Sequence, residues 1–180
     1  AGTSINVMLN GVPYNDSESQ GTFFVNIPDM ASSASQIVIQ RGVGTSSNGT
    51  ASFGASVNIL TKNPDEKPYV LGQFSAGSFN TMKTSFEAGS GKFLNNLLSV
   101  SARYSTINSD GYIDRAFSKL NSYSINALFE KGNTKIRFLT FGGKEKTYQA
   151  WNGIDRQTWE TNPRLNYSGQ YTDLFTGEEK

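Results

Sequence analysis

The sequence predicts a mainly β protein in two parts: a small mixed α/β unit, then about five antiparallel strands whose two faces differ in polarity. Three observations carry this. Residues 5 to 62 mix strand and helix signals, whereas residues 68 to 145 repeat one alternating pattern between turns. Between them, Asn63-Pro64-Asp65-Glu66-Lys67-Pro68 combines two prolines with a charge run, the composition of a linker.

In the first part, Ile5-Asn6-Val7-Met8-Leu9 reads as a strand that stops at Asn10-Gly11, a turn signal. Tyr14-Asn15-Asp16-Ser17-Glu18-Ser19-Gln20 is a polar loop. Asp29 is expected to cap a short helix from Met30 to Ser35, its carboxylate accepting from the free N–H groups of the first turn. Gln36 to Gln40 is a β-branched strand, and Ala55 to Leu60 is another. Between these two lies IQRGVGTSSNGTASFG (residues 39 to 54), with four glycines and five Ser or Thr. It lacks both the lysine and the following helix of a phosphate-cradling loop.

The second part alternates with period two. Leu98, Val100, Ala102 and Tyr104 share one face and Ser99, Ser101, Arg103 and Ser105 the other; Tyr123, Ile125, Ala127 and Phe129 form a similar apolar face. Val70, Phe74 and Phe86 fall on apolar faces, while Lys83, Glu87, Arg103 and Asn126 fall on polar ones. Strands are placed at about 69–77, 82–90, 97–107, 121–130 and 135–145. Such faces suit either a soluble sandwich or a membrane barrel, and connection lengths separate the two. The connections at 91–96 and 131–134 are short. Those at 108–120 and after Lys146 are long and fall at the opposite end, as in a barrel with short turns on one side. Strands of about 9 to 11 residues also match a tilted membrane crossing.

Composition narrows the chemistry. The chain of 180 residues has no Cys and no His, which removes thiol chemistry, disulfides, imidazole bases and most zinc or copper sites. With no coherent nucleophile–base pair, an enzyme is not expected. The net charge of +1 arises from 16 basic and 15 acidic residues spread along the chain, so no basic patch points to nucleic acid. The mean hydropathy of −0.44 argues against a helical membrane protein. The chain begins almost on a strand and stops inside a polar stretch, so a fragment of a longer protein is expected.

The segments INVMLNGVPYNDSESQG, IVIQRGVGTSSNGTASFGASVNILTKN and FGGKEKTYQAWNGI resemble the TonB-dependent outer-membrane receptors, specifically the ferric-citrate and siderophore branch of Bacteroidetes type. The resemblance implies the C-terminal part of a plug domain at 1–63 and the N-terminal strands and loops of a transmembrane β-barrel, incomplete here, at 64–180. It implies energised uptake of a ferric chelate across a Gram-negative outer membrane. The partners implied are the ferric chelate, outer-membrane lipid and the TonB energy-transducing complex, the last acting through an N-terminal segment outside this sequence. No cofactor and no resident metal are expected; Asp16 and Glu18 lack a third ligand. Arg41 resembles the plug arginine that pairs with barrel-wall glutamates and locks the plug. Gly42, Gly44, Gly49 and Gly54 are expected to be structural, through positive φ or close backbone approach. Candidate ligand contacts are Asn15, Asp16 and Gln20 in the plug loop, and Trp151, Arg156 and Arg164 in a long external loop, where arginine forks suit carboxylates. Tyr69, Tyr104 and Phe129 are candidates for an interfacial aromatic girdle. The competing reading is a non-energised porin or adhesin, or a soluble carbohydrate-binding β protein.

Overall fold

The computed structural model describes residues 4–42, 53–168 and 173–177, and it contains two sheets. The first is four-stranded. Strand β1 (Ile5–Leu9) turns through Asn10-Gly11 into the short β2 (Val12–Pro13), which the sequence pattern did not foresee. Asn10 (φ 52°) and Gly11 (φ 81°) both occupy the left-handed region, the geometry that joins two antiparallel strands through two residues. A 3₁₀ turn at Phe24–Asn26 precedes α1 (Met30–Ser33), followed directly by β3 (Ala34–Arg41) and later by β4 (Ala55–Thr61). The spatial order is β2-β1-β4-β3, with β1 and β4 parallel and the other pairs antiparallel. Helix α1 is a single turn, two residues shorter than expected, because Ala34 already has extended backbone and pairs with Thr61.

The second sheet is an uninterrupted antiparallel meander, β5 (Pro68–Gly77), β6 (Thr81–Phe93), β7 (Leu98–Ser109), β8 (Ser118–Lys131) and β9 (Thr134–Thr147). All five expected strands are present, and each runs longer than the alternating pattern suggested. The connections fall as expected: residues 94–97 and 132–133 at one end, 78–80, 110–117 and the segment after Thr147 at the other. A second helix, α2 (Arg156–Thr161), lies in what the sequence pattern left as loop.

The two sheets differ in what they chiefly bury, although Asn6, Ser56 and Thr61 of the first and Leu128 of the second are buried as well. Val7, Ile27, Met30 and Ile59 form a small apolar core around the first sheet, and Phe141 of β9 packs against it. On the second sheet the serines and charged groups are inside: Ser85, Ser99, Arg103, Ser105, Ser122 and Asn126 are buried beneath the first sheet. The alternate residues Val70, Phe74, Met82, Phe86, Tyr104, Tyr123, Ile136 and Phe138 stand exposed on the outer face. A contiguous apolar face of this extent on a single sheet is the arrangement of strands that meet lipid. Tyr104 belongs to this outer band, but Tyr69 does not. Its ring lies across Gly89 on the inner side and its hydroxyl donates to Glu87 Oε1 at 2.6 Å, so a polar partner beneath the first sheet draws it away from the expected girdle.

Candidate functional site

The seam between the sheets is polar, and Asp29 is its centre. Asp29 was expected to cap α1, and it stands at the cap position, but its carboxylate makes no bond to a helix N–H. The wall opposite offers stronger donors. Asp29 Oδ1 accepts from Lys83 Nζ at 2.7 Å and Oδ2 from Arg103 Nη1 at 2.7 Å, with Ser105 Oγ also donating to Oδ2. Arg103 Nη2 donates to the Asp29 carbonyl at 3.0 Å and Nε to Ser33 Oγ at 2.8 Å, so one guanidinium grips the whole turn. The side chains of Asp29 and Arg103 are each only 6% exposed. Asp29 adopts left-handed backbone (φ 53°, ψ 27°), which aspartate tolerates at some cost and which this contact holds in place. Burial works against ionisation of the Asp29 carboxyl, but hydrogen bonds from Lys83, Ser105, Ser32 and Arg103 outweigh it and hold the group down at about 2.

A second cluster fixes the end of β4. Arg137 Nη2 donates to the carbonyls of Thr61 (3.1 Å) and Lys62 (2.8 Å) and to Thr61 Oγ1 (2.9 Å), while Asn126 Nδ2 donates to the Lys62 carbonyl. Glu87 stands opposite Arg103 in the β6–β7 register but serves other partners, Tyr69 and, at 3.7 Å, Lys62. Between the clusters lies a cleft of about 20 Å³ lined by Ser33, Lys62, Glu87, Arg103 and Asn126, room for roughly one water molecule. Above it Pro28 seats on Gly143: a methyl group there would meet Pro28 Cγ at 2.7 Å. Such a seam joins two surfaces through hydrogen bonds and ion pairs of a kind that water can replace.

The expected site residues divide. Arg41 is the exposed last residue of β3, paired in register with Ala55; among the described residues it makes no ion pair with the five strands. Gly42 (φ 82°) donates its N–H to the Gly54 carbonyl at 2.8 Å, and the Gly54 N–H donates to Ser4 at 2.8 Å, so these two glycines close the base of their loop. Gly44 and Gly49 lie outside the described residues. Asn15 is committed to the backbone, accepting from the Val7 N–H and donating to the Ile5 and Gln20 carbonyls, each at 2.8 Å. Asp16 accepts from the N–H groups of Glu18 and Ser19, bonds that lower its carboxyl, with Ser19 the main cause; Gln20 donates to the Ser17 carbonyl. Among the described residues no three acidic groups gather as a metal site.

In the outer segment, Arg164 pairs with Asp114 at 3.3 Å, donates to the Tyr112 carbonyl at 2.9 Å and lies 5.8 Å over the Phe79 ring. It staples three loops of one end together, helped by the buried Asn166, whose amide donates to the Asp114 carbonyl. Arg156 forms an exposed pair with Glu160 one turn on, and Trp151 is 81% exposed. Lys83 and Arg103 were legible as polar-face cations, but their partner was missed. The available signal was that Asp29 is the only acidic residue between Glu18 and Asp65.

The fold matches solved structures. The ferric yersiniabactin uptake receptor FyuA from Yersinia pestis superposes with a TM-score of 0.68 over 93% of this chain and 27% of its own, at 16% identity. The chain has the fold of the TonB-dependent outer-membrane receptors. The copper transporter OprC gives a TM-score of 0.65 over 80% of this chain and 23% of its own, at 15% identity. The pyoverdine outer membrane receptor FpvA from Pseudomonas aeruginosa PAO1 gives 0.59 over 76% and 20%, also at 15% identity. The chain therefore spans about a fifth to a quarter of the length of these structures. No family model matches it, and no curated protein sequence does. In TonB-dependent receptor terms the first sheet is the end of a plug and the second the first strands of a barrel, with the seam as the plug–barrel contact.

Proposed function

We propose that residues 1–63 are the C-terminal part of the plug and 64–180 the first strands and loops of the barrel of a Gram-negative outer-membrane receptor for energised uptake. The cargo is a ferric chelate or a similar scarce nutrient, and its metal is cargo rather than cofactor. The inner-membrane TonB complex supplies the energy by acting on a segment N-terminal to this one. The observation that carries the reading is the inside-out wall: a plug bonded by hydroxyls, carbonyls and one carboxylate to the polar face, with the apolar face left for lipid. Contacts of this kind hold at rest and exchange for water when the plug is pulled, because each is worth little net in a wettable seam.

Arg41, exposed and without an ion pair among the described residues, is assigned to wall glutamates elsewhere in the barrel. Asp16, Trp151 and Arg156 keep exposed side chains and remain the candidate ligand contacts; Asn15, Gln20 and Arg164 serve them by holding the loops. A permanently open porin accounts less well for a seam that covers the polar wall. The test uses the full-length protein: it should be extracted from outer membranes only with detergent and accumulate radiolabelled ferric citrate or another ferric chelate only while TonB is present. Recovery as a soluble monomer without detergent overturns the membrane reading, and chelate accumulation independent of TonB overturns the energised one.

A further inference from the structure

The wall side of the Asp29 contact is itself a binding site. Both oxygens of one carboxylate are held from β6 and β7 by Lys83 Nζ, Arg103 Nη1 and Ser105 Oγ, and Ser32 Oγ of α1 adds a bond to Oδ1 at 2.6 Å. The occupant arrives from a different sheet, separated from the β6 and β7 donors by 54 to 76 residues of chain. The backbone positions of those donors are set by the β6–β7 ladder, which pairs Lys83 with Ile107 and Glu87 with Arg103, and Ser105 Oγ lies 2.8 Å from Ser122 Oγ on β8. The charge is unbalanced: two cations face one carboxylate, and Glu87, the nearest acidic group in register, is engaged by Tyr69 and Lys62. Asp29 also gives up the capping of its own helix to reach this place.

We propose that β6 and β7 carry a site for a carboxylate group, in which Asp29 is the resident ligand. A guanidinium and an ammonium converging on a planar carboxylate form a charge-assisted arrangement, and in a buried seam the vacated donors favour another anion of the same shape. Under the uptake reading, on which this last step rests, the site lines the route and meets carboxylate-bearing cargo when the plug withdraws. The site itself does not depend on that reading.

Formate is the probe, because it supplies the carboxylate that Asp29→Ala removes and fits the space left. In purified full-length receptor reconstituted in vesicles, D29A should raise passive solute leak about tenfold or more, since the buried Arg103 and the half-buried Lys83 lose their partner. Sodium formate should return the leak towards the wild-type level, and sodium chloride at equal ionic strength should not. Neither D29N, whose amide fills the space, nor the D29A/R103A double variant should respond to formate. Equal effects of formate and chloride on D29A, or rescue that persists in D29A/R103A, overturn the proposal. Should D29A fold in neither salt, Asp29→Ser is read in the same way. A receptor without TonB-dependent uptake would leave the formate result standing, so failure of the function and failure of the site are separable.

Discussion

The plug sheet and the barrel sheet are built from the same kinds of strand and sort them in opposite directions. In the plug, Val7 (2% exposed) and Ile59 are buried and the loops are polar, as in any water-soluble sheet. In the barrel, Ser105 (1%) and Ser122 are buried while Val70 (70%) and Phe74 (67%) stand outside. Period-two alternation says that a strand has two faces; only the environment on each side decides which face is inner. Here the plug decides it, because Asp29, Thr61 and Lys62 present charges and carbonyls that apolar side chains could not satisfy.

The largest test of this contrast is a charge on the outer face. Phe86→Arg, on β6 and 56% exposed, should lower barrel stability in lipid by about 2–4 kcal/mol if it lies near the bilayer midplane. The measurement is denaturant unfolding of the full-length receptor in vesicles. On a water-facing sheet an exposed arginine costs almost nothing, so an unchanged midpoint would break the inside-out assignment.

Acid should separate the two sheets with a smaller effect. The Asp29 carboxyl is held at about 2 in the fold against an ordinary 3.8, so as pH falls the unfolded plug takes up the proton first. The contribution, about 2 kcal/mol from the size of that shift, is fully present above about pH 4 and is lost as the pH drops towards 2. The plug alone should respond, because backbone ladders hold β5 to β9 irrespective of that proton. Amide exchange stepped through this window should rise in peptides covering 29–34 and stay flat in those from β7 and β8. If D29N shows the same step, another group is responsible.

Where the sequence was readable, the physical reason is the difference between the two faces of each barrel strand. Under the proposed membrane reading, the alternation that located 121–130 and 135–145 follows from one face of those residues meeting hydrocarbon. The strands continue to Ser118 and Thr147, but there both faces are polar, Ser118 pairing with Thr147 on one and Lys119 with Lys146 on the other. Beyond the apolar band the backbone ladder persists without leaving a two-sided mark in the side chains. The seam was half readable for a related reason. Lys83 and Arg103 announce themselves as charges on a polar face, whereas Asp29 before Met-Ala-Ser-Ser looks locally like a cap. Its true partners are 54 and 74 residues away, and no local pattern encodes them.

The two helix-starting aspartates make that ambiguity measurable, with the smallest expected effect of all. Asp155, in the outer loop, has extended backbone (φ −72°, ψ 167°) and accepts from the Thr158 N–H at 2.9 Å and its hydroxyl at 2.8 Å, the cap expected of Asp29. The Thr158 backbone bond, then its side-chain bond, lowers the Asp155 carboxyl. No wall competes for it, since α2 has no buried residue. Asp155→Ala should therefore fray residues 156–161, seen as faster amide exchange there, while leaving the barrel's unfolding midpoint and the passive leak unchanged. Asp29→Ala should do the reverse, raising leak without depending on helix content. If D155A raised leak as D29A does, the outer loop would be coupled to the plug, and the division between a structural cap and a seam ligand would fail.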